Sequence, residues 1–195
     1  MKNQPKIVLA SSSPYRKELL QKICPTFESQ SPKVDESSRR NEDPLSLSKR
    51  LAYEKAMALK TSFPEHLIIG SDQVAMLGDQ QLTKPGDYKN CVQQLTASSG
   101  KIIQFYTSLC VLDSNSSKHQ IDVDLCRVHM KILSEQEIEN YVKKEQPFNC
   151  AASFKSEGLG IALFNKIEGD DPNALIGLPL IKLVSLLDFF GYEVL

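Results

Sequence analysis

IVLASSSPYRKELL, residues 7–20, is the stretch that decides the fold. Ile7, Val8, Leu9 and Ala10 form a short continuous apolar run, which suits a strand buried on both faces. Ser11, Ser12 and Ser13 then supply three hydroxyls. Pro14 fits the first turn of a helix, where its missing N–H is one of the unsatisfied donors anyway and its fixed φ is already helical. Arg16 and Lys17 stand inside that turn. Cations normally avoid a helix N-terminus, because the dipole there is positive and the backbone N–H groups lack partners, so an anion is expected beside them. Hydroxyls, an open helix N-terminus and an arginine make a phosphate cradle. A Ser N-cap on a surface helix with solvated charges fits the same residues.

The chain has 195 residues, 41% of them hydrophobic, which suffices for a substantial core and predicts a single domain over residues 1–195. The formal net charge of −1 lacks the basic excess of a dedicated nucleic-acid binder, so any phosphate site must be local. Cys24, Cys91, Cys110, Cys126 and Cys150 are scattered and odd in number, with no C-x-x-C pair, the pattern of a reducing cytoplasm. His66, His119 and His129 share no metal-ligand spacing, so zinc is not expected. No apolar run approaches the roughly 18 residues of a membrane span, and no signal peptide is read at the N-terminus. A cytoplasmic protein without membrane or nucleic-acid partners is expected.

Phe27 to Ser31 reads as a second strand, followed by Val34, Asp35, Glu36 and a polar segment ending in Asp43-Pro44, an N-cap with Pro at N1. The helix expected from Pro44 to about Lys60 has Leu47, Leu51, Ala52, Ala56 and Leu59 near a 3.6-residue period, with Arg50 and Glu54 on other faces. Composition alone leaves Lys55 solvated. In residues 67–77, LIIGSDQVAML, Leu67 to Ile69 predicts a buried strand. Gly70 lets the backbone turn or approach something closely, and Asp72 is expected at the strand's carboxyl end, where α/β sheets bind ligands. A turn aspartate bonded to its own backbone fits Asp72 too. Lys84 precedes Pro85 and is expected in extended backbone.

A short helix over Asp87 to Leu95 precedes two β-prone runs, Lys101 to Asp113 and Gln120 to Leu133, that predict a long antiparallel hairpin. Ser134 and Glu137 form a capping box for a helix ending near Glu145. Residues 149–164, NCAASFKSEGLGIALF, predict small residues and then an apolar strand. A last helix runs from Leu180 to Phe190, with Gly191 closing it. Neither a dinucleotide-binding G-x-G-x-x-G nor a P-loop occurs, and no repeat of 20–50 residues is found.

Leu9-Ala10-Ser11-Ser12-Ser13-Pro14-Tyr15-Arg16-Lys17-Glu18-Leu19-Leu20 resembles the L-A-S-x-S-P-R-R-x-E-L-L motif that opens the Maf-like nucleotide pyrophosphatases. Leu51 to Ala56, Gly70-Ser71-Asp72-Gln73, Thr83-Lys84-Pro85 and Gly177-Leu178-Pro179-Leu180 resemble further motifs of that family, in the same order, over nearly the whole chain. The resemblance implies an α/β fold, a mixed and partly antiparallel twisted sheet with flanking helices, in two lobes around a central cleft. It also implies hydrolysis of nucleoside triphosphates to monophosphate and pyrophosphate. It groups Ser11, Arg16, Lys55 and Lys84 as phosphate-binding residues, Asp72 as proton acceptor and Glu36 with Asp72 as the groups holding a divalent cation (Mg²⁺, Mn²⁺ or Co²⁺). That set suits phosphoanhydride cleavage, in which cations neutralise the polyphosphate and carboxylates hold metal and orient water.

Tyr15 stands where many members carry an arginine, Gln73 where the pyrimidine-cleaving members carry threonine, and Glu157 where they carry glutamine. The combination resembles the branch acting on 7-methyl-GTP. Methylation at N7 makes the guanine ring cationic, which favours an aromatic face, and Glu157 can accept from both N1–H and the exocyclic amine. Singly, Tyr15 reads as packing and Glu157 as a solvated charge. Two other functions fit: a pyrophosphatase for dTTP, UTP or damaged nucleotides, and a non-catalytic nucleotide-binding regulator of cell division. The partner expected is a small-molecule nucleotide, and a homodimer is compatible with the reading.

Overall fold

The first apolar run becomes β1 (Lys6–Ala10), and it is buried on both faces as its composition predicts. In the computed structural model, which describes residues 4–195, the elements that follow are α1 (Pro14–Gln21), β2 (Glu28–Ser29), α2 (Pro44–Met57), β3 (His66–Leu77), β4 (Gln80–Leu82), α3 (Tyr88–Ser98), β5 (Ile102–Asp113), β6 (His119–Met130), α4 (Glu135–Glu145), β7 (Phe164–Glu168) and α5 (Leu180–Phe189). The strands hydrogen-bond in the order β2-β1-β3-β5-β6-β7, with β4 on β3. β1 pairs in parallel with β2 and β3, whereas β3–β4 and β6–β7 are antiparallel, so the fold is the mixed α/β sheet with helices that was expected.

The chain divides into two compact units. The first takes the chain up to Gln73 together with Thr107–Asp124 and Asp171–Leu195; the second comprises Val74–Tyr106 and Leu125–Asp170. In the first unit the period-2 alternation of the strands sorts their side chains onto two faces. Ile7, Leu9, Leu67 and Ile69 pack with Leu19 and Leu20 of α1 and Leu183 and Leu187 of α5. Val8, Ala10 and Ile68 pack on the other face with Ala52 and Ala56 of α2. In the second unit Phe154 packs edge-on against Phe105 and Phe164, at centroid separations of 5.6 and 4.7 Å.

Helix starts agree closely with their sequence signals. Asp43 caps α2 through the amides of Leu45 and Ser46, Asp87 caps α3, and Ser134 with Glu137 closes a reciprocal capping box on α4. Three expectations are corrected. β3 does not stop near Ile69 but runs through Gly70 and Asp72 to Leu77. β6 ends at Met130 rather than Leu133, because the Lys131 and Leu133 amides leave the ladder for the Leu163 carbonyl and Ser99 Oγ. The apolar residues Leu159–Leu163 form a 3₁₀ turn, and the strand begins only at Phe164. A short 3₁₀ turn at Ala151–Ser153 precedes it. None of the helices among the described residues is long and apolar enough to cross a membrane.

Candidate active site

Gly70 sets the geometry of the first unit's charged cluster. A Cβ there would lie 2.1 Å from the Ala52 carbonyl oxygen and 2.9 Å from the Ala56 amide nitrogen, so only glycine lets α2 lie this close on β3. Of the two readings of Gly70, close approach is the one realised. Because α2 is held there by Ala52 and Ala56, Lys55 between them comes over the strand. Its Nζ lies 2.6 Å from Asp72 Oδ1 and 2.6 Å from Glu36 Oε1. Lys55 is 6% exposed and Asp72 7% exposed, which overturns the solvated lysine that composition predicts. A helix lysine is normally in water; this one is desolvated because two carboxylates compensate it.

Asp72 lies within β3, two residues beyond Gly70, which pairs with Ala10, the last residue of β1. It therefore stands at the carboxyl edge of the parallel part of the sheet, although its own strand continues. The same edge carries the opening motif. Ser11 Oγ accepts from the Ser13 amide at 3.1 Å, and Ser13 Oγ accepts from the Arg16 amide at 3.4 Å, capping α1. Arg16 Nε donates to the Gly177 carbonyl at 2.8 Å, and Ser71 Oγ donates to the same oxygen at 3.0 Å. Gly177 has φ +128°, a backbone position open to glycine, and it faces Arg16. Burial pushes the Arg16 guanidinium below its usual value, while the charges of Asp72 and Glu36 act in the opposite direction. Two cations and two carboxylates thus share one electrostatic environment.

Gln73 and Tyr15 also belong to the first unit. The Gln73 amide nitrogen is within 3.0 Å of Thr107 Oγ1 and the Ala174 carbonyl and 3.1 Å from the Leu175 carbonyl, so it secures the 174–175 backbone. Tyr15 is the second residue of α1 and is half-buried. Lys84 and Glu157 lie in the second unit, both exposed. Lys84 follows β4 in irregular backbone whose neighbours are fixed by Asn90 Nδ2 on the Pro85 carbonyl and Gln94 Nε2 on the Thr83 carbonyl. Glu157 sits in a turn pinned by α4: the Lys155 amide donates to Tyr141 Oη at 3.1 Å and the Leu159 amide to Glu145 Oε2 at 2.8 Å.

Among the described residues no group of three or more His, Cys, Asp or Glu side chains forms a ready metal cage. Glu36 and Asp72 nonetheless converge on one cationic atom, the Lys55 ammonium, which shows that the two carboxylates can face a common positive charge. Two carboxylates suit a hard divalent cation that completes its shell with water and substrate phosphates. Sequence reasoning gave no role to Ser71, although it lies in the Gly70-Ser71-Asp72-Gln73 motif, or to Arg50, whose partner Glu54 lies one helical turn on while Glu42 and Ser37 lie outside its helix.

The chain matches the Maf-like protein family over residues 6–190. A 7-methyl-GTP pyrophosphatase of Colwellia psychrerythraea is 54% identical over 189 residues, covering 97% of this chain and 94% of that protein. A protein of the same name from Alcanivorax borkumensis is 51% identical over 189 residues, covering 97% and 96%. A solved HAM1 protein from Coxiella burnetii superposes with a TM-score of 0.51 at 14% identity, covering 95% of this chain and 100% of that one, a likeness of fold. With its motifs in order and the match nearly full length, the chain belongs to the Maf-like protein family.

Proposed function

We propose that this chain is a cytoplasmic nucleoside triphosphate pyrophosphatase that hydrolyses 7-methyl-GTP to 7-methyl-GMP and pyrophosphate. The observation that carries the chemistry is the convergence of Asp72 and Glu36 on Lys55, with Arg16 beside them. The substrate follows from relatives of that name at 54% and 51% identity.

Ser11, Arg16, Lys55 and Lys84 hold the phosphates, Asp72 accepts the proton of the attacking water, and Glu36 and Asp72 hold the divalent cation. That cation, when bound, neutralises charge building on the leaving pyrophosphate. Water attacks the α-phosphorus, and the bond from that phosphorus to the α,β-bridging oxygen breaks. Lys55 opposes the negative charge that develops on the phosphoryl oxygens. Tyr15 and Glu157 select the base. The free thiols Cys24, Cys91 and Cys110 suit a reducing compartment.

The test is pyrophosphate release from 7-methyl-GTP, GTP, dTTP and UTP with Mg²⁺, Mn²⁺ or Co²⁺. Metal-dependent release that is fastest from 7-methyl-GTP is expected. Faster release from dTTP or UTP would move the substrate while keeping the reaction. Nucleotide binding without release of pyrophosphate or orthophosphate would identify a regulator.

A further inference from the structure

Glu36 sits in residues 30–43, a segment between β2 and α2 that contains neither helix nor strand. Irregular segments of this length wander unless something holds them. Here the holding side chain is Arg50 of α2. Its Nε and Nη2 donate to the two carboxylate oxygens of Glu42, at 2.6 and 2.7 Å, and Nη2 also donates to the Ser37 carbonyl at 3.0 Å. Nη1 donates to Glu54 Oε2 at 2.9 Å, which fixes the fork on its own helix. The side chains of Arg50 and Glu42 are 12% and 9% exposed, so the pair is shielded from solvent. On the far side of Glu36, Asp35 Oδ1 accepts from the Ser37 amide and hydroxyl at 3.0 and 2.7 Å. The backbone next to Glu36 is therefore gripped from α2, the helix that also supplies Lys55.

We infer that Arg50 is a positioning residue for Glu36, fixing the segment around it so that its carboxylate meets Lys55 and the divalent cation. The inference rests on the metal-holding role proposed for Glu36. Arg50 acts through the segment; its own guanidinium is spent on Glu42, Glu54 and Ser37. A planar fork with five donors is needed to hold two carboxylates and a carbonyl at once, which a lysine ammonium cannot reproduce.

The test compares Arg50→Lys with Glu36→Gln and the unmodified chain. Three quantities are read: tryptic cleavage after Arg39 and Arg40, both exposed in this segment; Mn²⁺ affinity by electron paramagnetic resonance with the α,β-methylene analogue of 7-methyl-GTP; and binding of that analogue in EDTA. Arg50→Lys should be cut about tenfold faster and bind Mn²⁺ about tenfold more weakly, while metal-free analogue binding stays near that of the unmodified chain. Should Arg50→Lys fail to fold, Glu42→Gln, which weakens the same ion pair with a neutral isostere, carries the same expectations for tryptic cleavage, Mn²⁺ affinity and metal-free analogue binding. Weaker Mn²⁺ binding in Glu36→Gln but not in the Arg50 or Glu42 variants overturns the inference and leaves the role of Glu36 intact. Unchanged Mn²⁺ binding in Glu36→Gln overturns both. Equal losses of metal-free and metal-dependent binding also overturn it, since they mark general unfolding.

Discussion

Lys55 Nζ lies 2.6 Å from Asp72 Oδ1, and each residue is buried to more than nine-tenths, so this is an ion pair largely withdrawn from water. Such a pair is costly to break from one side, because the remaining charge stays buried without compensation. Lys55→Ala should therefore lower stability by about 3–5 kcal/mol as well as weaken triphosphate binding. Asp72→Asn keeps the shape and a polar partner for Lys55 but removes the proposed proton acceptor. It should lose less stability, and turnover should fall by about 10²–10⁴-fold. Urea melts beside single-turnover rates separate the two. Near-normal turnover in Asp72→Asn removes Asp72 from the chemistry.

Gly70→Ala tests how the site is assembled. Its Cβ would meet the Ala52 carbonyl at 2.1 Å, and backbone cannot yield as a flexible side chain can, so α2 must lift from β3. Overpacking of this kind costs about 1–3 kcal/mol or more, and here the displaced helix carries Lys55. A lowered melting temperature together with a raised KM for triphosphate is expected. A lowered melting temperature with unchanged KM would show that Lys55 follows Asp72 despite the shift.

How much of this was legible in sequence differs between the two kinds of information. Local signals were reliable: Ser13, Asp43, Asp87 and Ser134 cap helices because a short side-chain oxygen reaches the amides two or three residues on. The apolar run at Ile7 to Ala10 announced a strand with two buried faces. Non-local compensation was invisible. Nothing near Lys55 in sequence predicts burial; its partners lie 17 and 19 positions away, at Asp72 and Glu36. The sequence puts the strand's carboxyl end at Asp72, whereas β3 runs on to Leu77 because Gly70 serves helix approach instead of a turn. The apolar residues 159–163 match a strand in composition, but Glu145 engages the Leu159 amide and Gly160 lies against the Lys155 carbonyl, and the backbone coils.

The Arg50 clamp gives the stability a signature at low pH. Hydrogen bonds from Arg50, and then from the Arg39 amide, pull the Glu42 carboxyl from an ordinary 4.5 down to about 2. Its folded value is depressed, so its contribution is fully present above pH 4.5, declines as the pH falls below that, and is gone near pH 2. Arg39, Arg50 and Glu54 surround it in the same network. Comparing Glu42→Gln with the unmodified chain cancels the other acidic groups. The gap in melting temperature between them should be widest above pH 5 and close toward pH 2. A gap that does not change with pH would mean that Glu42 contributes only through its shape.

Tyr15 and Glu157 should divide the selection of the base between charge and hydrogen bonding. In the proposed role, Glu157 would offer two acceptor oxygens to the N1–H and amine edge of guanine, which uracil and thymine cannot match, since each presents a single ring donor. The backbone of its turn is held on either side by Tyr141 and Glu145. Glu157→Gln replaces one acceptor with a donor facing the purine edge. It should cut kcat/KM for 7-methyl-GTP and GTP alike, by about tenfold or more, and raise the relative rate on UTP. In the proposed role, Tyr15 would respond to the methyl group through the ring charge, since stacking of a cation on an aromatic face contributes about 1–2 kcal/mol when desolvated. Tyr15→Ala should therefore narrow the preference for 7-methyl-GTP over GTP by about five- to thirtyfold while leaving the purine-to-pyrimidine ratio close to its original value. The four rates, measured for both variants at saturating metal, check the division. If Tyr15→Ala lowers all four substrates equally, the ring contributes to the packing of α1 and not to recognition of the methylated base.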